Sequence, residues 1–245
     1  MNAKRDSERL NQSYMLGRSA FSVFAFGAAI VTSMAAQPVV VIDPGHPAGP
    51  RDPGTKGKKV SEVQVNFRVA NMLALKLEQQ GIKVIVTKPD VRLLLTNKRR
   101  AEIANWAKAD LYIRLHCDQT TGSGYSIVFP GAPGVAADGA KGPSQHVINA
   151  SSAAAKKFHA AMAASIQTLL VDNGIKTDAQ TPVGEKQGAL TGSIYSQVPT
   201  LLVNLVVLSN SHDEAWISSY KNVPKLVEAL DKGVLAAINF HEEQG

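Results

Sequence analysis

Val39-Val40-Val41-Ile42-Asp43-Pro44-Gly45-His46 opens the folded part of this chain. Four β-branched residues stop at Asp-Pro-Gly, which reads as a buried strand entering a loop with a histidine at its mouth. The same unit recurs downstream. A Pro/Gly-rich basic loop over residues 47–59 leads to Ser61, the expected N-cap of a helix reaching about Gln80, with Val65, Val69, Met72, Leu73 and Leu77 as its apolar stripe and Gly81 as its stop. Lys83 to Thr87 reads as a strand, Thr96 to Ala107 as a helix, and Asp110 to Leu115 and Tyr125 to Phe129 as strands. Residues 130–143 read as loop, Ser144 to Asp172 as helix closed by Asn173-Gly174, Thr200 to Leu208 as a buried strand, and Asp213 to about Phe240 as a final helical region. Residues 175–196 carry no clear periodicity. Strands alternating with helices predict one α/β domain, a mostly parallel twisted sheet flanked by helices.

The full chain has 245 residues, enough for one such domain and a targeting segment. With 44% hydrophobic and 19% charged residues it is no disordered polymer. Lys4, Arg5, Arg9 and Arg18 precede an apolar stretch from Ala20 to Met34, and small residues follow at Ala35 and Ala36. That order predicts a signal peptide over residues 1–36, with an uncleaved membrane anchor as the competing reading, and a folded domain over 37–245. Either way the domain is expected to be exported, periplasmic or associated with the cell wall. The formal charge of +6 suits an anionic partner, but no Lys/Arg run interleaved with aromatics points to nucleic acid, and a membrane is expected only through an uncleaved amino-terminal segment. Cys117 is the single cysteine, so no intramolecular disulfide is available. Alternation along its strand turns it away from the residue before it, toward the core. Trp106 and Trp216 fall within helical patterns and read as packing residues, and His146, His159 and His241 as surface residues without partners.

Three side chains have the character of metal ligands. His46 follows the first strand, Glu62 begins the first helix, and His116 ends the strand Leu111–Leu115. The carboxyl ends of strands in an open parallel sheet form a ligand crevice, so these residues can converge there. Imidazole and carboxylate suit zinc, whose catalytic sites use three protein ligands and leave one position open. Spacing alone leaves the bland reading of surface histidines standing.

The wider pattern is more specific. Val40 to His46, Glu62 to Asn66 with Ala70, Gly81 to Thr87, Arg100 with Ala104-Asn105, and Ala109 to His116 resemble, in order, the zinc-dependent N-acetylmuramoyl-L-alanine amidases with the type 3 catalytic domain. Leu190-Thr191-Gly192, Pro199 to Val203 and Leu208-Ser209-Asn210 resemble that family's closing segment. The resemblance implies Zn²⁺ bound by His46, Glu62 and His116, peptidoglycan or muropeptides as partner, and hydrolysis of the amide between N-acetylmuramic acid and L-alanine. The absence of a His-Glu-x-x-His helix argues against the common metallopeptidases.

One departure bears on activity. The family has a catalytic glutamate after the Pro-x-x-Leu-Val strand, and this chain has Asn204. An amide cannot shuttle a proton near neutral pH. The resemblance therefore implies either a slow amidase, with Glu185 in the preceding loop as a candidate substitute base, or a zinc-binding or wall-binding regulatory homologue. Asp118 reads as a neighbour of the site. Pro47 and Lys88 also replace residues common in the family, a glycine and an arginine.

Overall fold

The computed structural model describes residues 37–49 and 51–239, and the expected signal or anchor segment lies outside the described residues. Among the described residues no helix is long and apolar enough to cross a membrane. The elements in chain order are β1 (Val39–Pro44), α1 (Glu62–Glu78), β2 (Lys83–Val86), α2 (Asn97–Trp106), β3 (Leu111–Asp118), β4 (Tyr125–Phe129), β5 (Gly134–Val135), β6 (Lys141–Gly142), α3 (Gln145–Ile166), β7 (Asp172–Thr177), α4 (Pro182–Gln187), α5 (Thr191–Ile194), β8 (Thr200–Val207), α6 (Ser211–Ser218) and α7 (Val223–Ala237).

The six-stranded sheet has the order β2-β1-β3-β8-β4-β7. Strands β2, β1, β3 and β8 run parallel, β4 is antiparallel to β8, and β7 is parallel to β4. This is the mostly parallel α/β sheet expected from the sequence. Period-two alternation divides it into two faces. Val40 and Ile42 of β1, Leu111, Ile113 and Leu115 of β3, and Leu201, Val203 and Leu205 of β8 join one core with residues of α1, α3 and α7. Val41 and Tyr112 point the other way and pack with Ala101 and Ala104 of α2. His116 and Asn204 are in register with each other on that second face.

The Ser61 cap is present: its hydroxyl accepts from Gln64 N, and the Gln64 side chain accepts from Ser61 N, a capping box. That cap fixes the first turn of α1, and with it Glu62. Gly81 takes a φ of +79° after α1, as a helix-stopping glycine does.

Three expectations change. The helix expected to reach Asp172 ends at Ile166, a 3₁₀ turn follows, and Asp172–Thr177 is the edge strand β7. Its sequence, Asp-Asn-Gly-Ile-Lys-Thr, has no apolar alternation, and Gly174 with φ +71° falls where the pairing with β4 shifts register. The final helical region is two helices, because Ser219 to Asn222 turn the chain before Pro224 opens α7. Trp106 is 84% exposed at the end of α2 rather than packed, whereas Trp216 packs against the main core.

Candidate metal centre

Backbone and buried cations hold His46 in place. Asp43, at the end of β1, is fully buried and accepts from Arg100 Nη1 at 2.5 Å, Thr87 Oγ1 at 2.5 Å and Tyr112 OH at 3.3 Å. Arg100, equally buried, also donates to the carbonyls of Pro44, Pro47 and Leu95 at 2.8, 3.1 and 2.7 Å. Lys88 Nζ donates to the His46 carbonyl at 2.5 Å and to Val91 O at 3.0 Å. The chain on either side of His46 is thus clamped by two cations. This offsets the cost of about 1–2 kcal/mol for a non-glycine residue in the left-handed region, where His46 sits with φ +53°.

Burial alone would raise the Asp43 pKa, but the Arg100 and Arg114 guanidiniums, with hydrogen bonds from Thr87 and Arg100, hold it below the ordinary aspartate value. The Lys88 pKa is lowered as well, to about 8, by burial and by the Arg100 charge.

Glu62 arrives from α1 with only 1% of the residue exposed. Oε2 accepts from Thr55 N at 2.7 Å, and Oε1 from Cys117 N at 3.0 Å. Oε1 also lies 3.5 Å from His46 Nε2 and 3.1 Å from His116 Nδ1. Burial would raise the Glu62 pKa. The hydrogen bond and charge of His116, the charge of His46 and the Thr55 amide outweigh that and bring it to about 2. Burial lowers His116 from its ordinary value despite Glu62, which favours the neutral imidazole a metal requires. The His116 ring lies against Gly45, where a Cβ would fall 2.4 Å from Cε1, so only glycine leaves room for it. His116 Nε2 is buried with no hydrogen-bond partner among the described residues. His46 Nδ1 lies 2.8 Å from Asp52 Oδ1.

One ligand atom from each of His46, Glu62 and His116 lies within 4.8 Å of the others. Ligands at about 2.0–2.1 Å around tetrahedral zinc sit roughly 3.3 Å apart. The 3.5 and 3.1 Å spacings about Glu62 Oε1 bracket that value and the third lies within 4.8 Å, so the donor set suits a zinc ion. The three side chains open into a cleft of about 530 Å³, whose lining includes Asp52, Asp118, Ser126, Lys176, Gln180, Leu202 and Asn204.

A family profile described as N-acetylmuramoyl-L-alanine amidase, Amidase_3, matches residues 40–236. The chain belongs to the Amidase_3 family. A protein of Bacillus subtilis (strain 168), named only as uncharacterized protein YqiI, is 25% identical over 208 residues, covering 82% of this chain and 87% of that one. The N-acetylmuramoyl-L-alanine amidase LytC of the same strain is 24% identical over 204 residues, or 80% of this chain, which spans about a third (35%) of LytC. Among solved structures, the catalytic domain of CwlV, an N-acetylmuramoyl-L-alanine amidase from Bacillus (Paenibacillus) polymyxa var. colistinus, has a TM-score of 0.66 and 23% identity, covering 84% of this chain and all (100%) of the other. It shares the fold. The family and its fold support an amidase that acts on peptidoglycan.

The remaining sequence-based candidates separate by their places around the cleft. Asn204 lines it on the strand beside His116, and its Nδ2 donates to Ser126 Oγ at 3.2 Å. Glu185 is exposed on α4 and is not among the residues lining the cleft. Asp118, two residues after His116 on β3, does line it. Cys117 is 5% exposed in the main core, as alternation requires, and its thiol pKa is raised well above the ordinary value by burial and by the charges of Glu62 and Asp118. His159, expected to stand alone, pairs with Asp172 at 2.9 Å. The sequence pattern did not disclose the Asp52 contact or Lys176. Asp52 could have been found from its place in the basic loop after His46, whereas Lys176 lay in a segment without periodicity.

Proposed function

We propose that this protein is an exported, zinc-dependent amidase of the cell wall, hydrolysing the amide between the lactyl group of N-acetylmuramic acid and the L-alanine of the stem peptide. The convergence of His46, Glu62 and His116 within 4.8 Å at the wall of an open cleft carries this reading. A zinc ion held there would make water nucleophilic near neutral pH and polarise the scissile carbonyl. The chain supplies the rest. Glu62, its pKa brought to about 2, is ionised near neutral pH, burial shifts His116 toward the neutral imidazole, and the Arg100 and Lys88 clamp fixes the loop that presents His46.

Asn204 sets the rate in this reading. It occupies the place of the family's catalytic glutamate and, as an amide, can orient a water or a leaving group but cannot carry a proton between them. Losing a general acid–base typically costs about 10²–10⁴-fold. Three carboxylates line the cleft: Glu62 is a proposed ligand, Asp52 touches His46, and Asp118 is neither. Asp118 is therefore better placed than Glu185 to stand in as a base, with a water between it and the substrate. The second reading, a wall-binding or regulatory domain that keeps the metal and does not turn over, is favoured by the same Asn204.

The decisive assay follows stem-peptide release from muropeptides by the zinc-loaded protein, with Asn204→Glu, Asp118→Asn and Glu185→Gln alongside. Slow release that rises with Asn204→Glu supports the amidase. Bound zinc with no release from any form supports the regulatory reading and refutes the first.

A further inference from the structure

The cleft has a chemical polarity that the metal centre does not use. At one end lie the metal-ligand trio, Asp52 and Asp118; at the other, on β7, lies Lys176, the one lysine or arginine among the lining residues. Among the described residues no carboxylate comes within ion-pair distance of Lys176 Nζ: Asp172 is taken by His159, and Asp178 is buried, with Oδ2 accepting from Leu190 N. Gln180, four residues on, lines the same cleft. Its Oε1 is engaged by Thr177 N and Thr177 Oγ1, at 2.8 and 3.4 Å, in the cap of a 3₁₀ turn, and its Nε2 donors have no partner among the described residues. A cation and an amide N–H pair on the lining of one groove suit one kind of group, an oxyanion such as a carboxylate.

The sheet register gives the distance. Lys176 is opposite Val128 on β4, Val128 opposite Leu202 on β8, and Leu202 opposite Arg114 on β3, two residues before His116. Three strand steps of about 4.8 Å set the two backbones roughly 14–16 Å apart. Leu202 and Val128 line the cleft between them. An extended peptide advances about 3.3–3.6 Å per residue. With its scissile amide at the trio, and with the reach of the two side chains deducted, such a peptide brings its second or third residue to Lys176.

We propose that Lys176, assisted by Gln180, binds a free carboxylate on the stem peptide two or three residues from the scissile amide, so that the protein discriminates unamidated from amidated stem peptides. This rests on the amidase reading for the direction in which the peptide lies.

The test is calorimetric titration of the zinc-loaded protein with paired muropeptides that differ only in carboxylate against carboxamide, one pair altered at the second stem residue and one at the third. The wild type is expected to prefer the acid by about 5–10-fold in one pair, which identifies the source of the carboxylate. Lys176→Met should bring that ratio close to unity, and Lys176→Arg should keep the preference. Equal affinities in both pairs, a preference that survives Lys176→Met, or no binding of any of the peptides would overturn the proposal. Turnover measured in the same samples separates the two claims: preferential binding without cleavage leaves Lys176 in its role and removes the amidase, and cleavage without preference does the reverse.

Discussion

Arg100→Met removes the cation on which the His46 loop rests, and the size of its effect follows from the bonds that the guanidinium makes. It is fully buried, bonds the buried carboxylate of Asp43, and donates to the carbonyls of Leu95, Pro44 and Pro47. Methionine fills much of the space and replaces none of these bonds. Removing one partner of a buried ion pair costs about 3–5 kcal/mol, because the other charge stays buried and uncompensated. Arg114 softens this only slightly, since its Nε is 3.8 Å from Asp43 Oδ2. A loss near 4 kcal/mol is about three decades in the folding equilibrium and a large part of the stability of a domain this size.

The pH dependence separates this cause from lost packing. In the wild type the folded pKa of Asp43 lies below its unfolded value of 3.8, so its contribution is complete above about pH 4 and is lost as pH falls through the folded value. In Arg100→Met the carboxyl is buried without its main counter-charge, its folded pKa rises, and the neutral form is favoured. The gap between wild type and variant, read from urea denaturation, should therefore be widest near pH 7 and narrow below about pH 4. A gap under about 1 kcal/mol at pH 7, or one equally wide at about pH 3.5, would refute the electrostatic role.

Other outcomes follow from single residues. Asn204→Glu should raise muropeptide turnover by about 10²-fold or more, read as stem-peptide release at fixed zinc. Asp118→Asn should lower the wild-type rate by about 10-fold or more without changing bound zinc, whereas Glu185→Gln should leave the rate within about twofold. Gly192→Ala places a Cβ 2.5 Å from Arg114 Cζ against a buried guanidinium, and should lower stability by about 1–3 kcal/mol in thermal or urea melts. Cys117, buried and with its thiol pKa raised, should resist a disulfide reagent in the native protein and react fully once unfolded.

Much of this architecture was legible because local signals agreed with the fold. The Val39–Ile42 run, the Ser61 N-cap and the apolar stripe of α1 each point to the element found there, and together they place His46 and Glu62 at one edge of the sheet. The third member of the trio, His116, was legible as a histidine late in a buried strand, though the strand continues to Asp118. What was not legible lay where tertiary context overrides pattern. β7 pairs on one side only and carries Asn173 and Gly174 where a buried strand would show alternation, so Lys176 had no visible place in the cleft. Trp106 ends a helix whose buried face is made by Arg100, Ala101 and Ala104, and the helical pattern says nothing about which side a terminal tryptophan takes. The partner of His159 was hidden for the same reason as β7, because Asp172 belongs to that strand.

Everything proposed about chemistry depends on a metal held by the trio, and metal content measures this directly. The protein is equilibrated with zinc, dialysed, and assayed for zinc by elemental analysis beside Glu62→Gln and His116→Ala, with circular dichroism to show that all three are folded. One zinc per wild-type chain and almost none in either variant is the expected result. A folded wild type without zinc, or variants that retain a full equivalent, would contradict it.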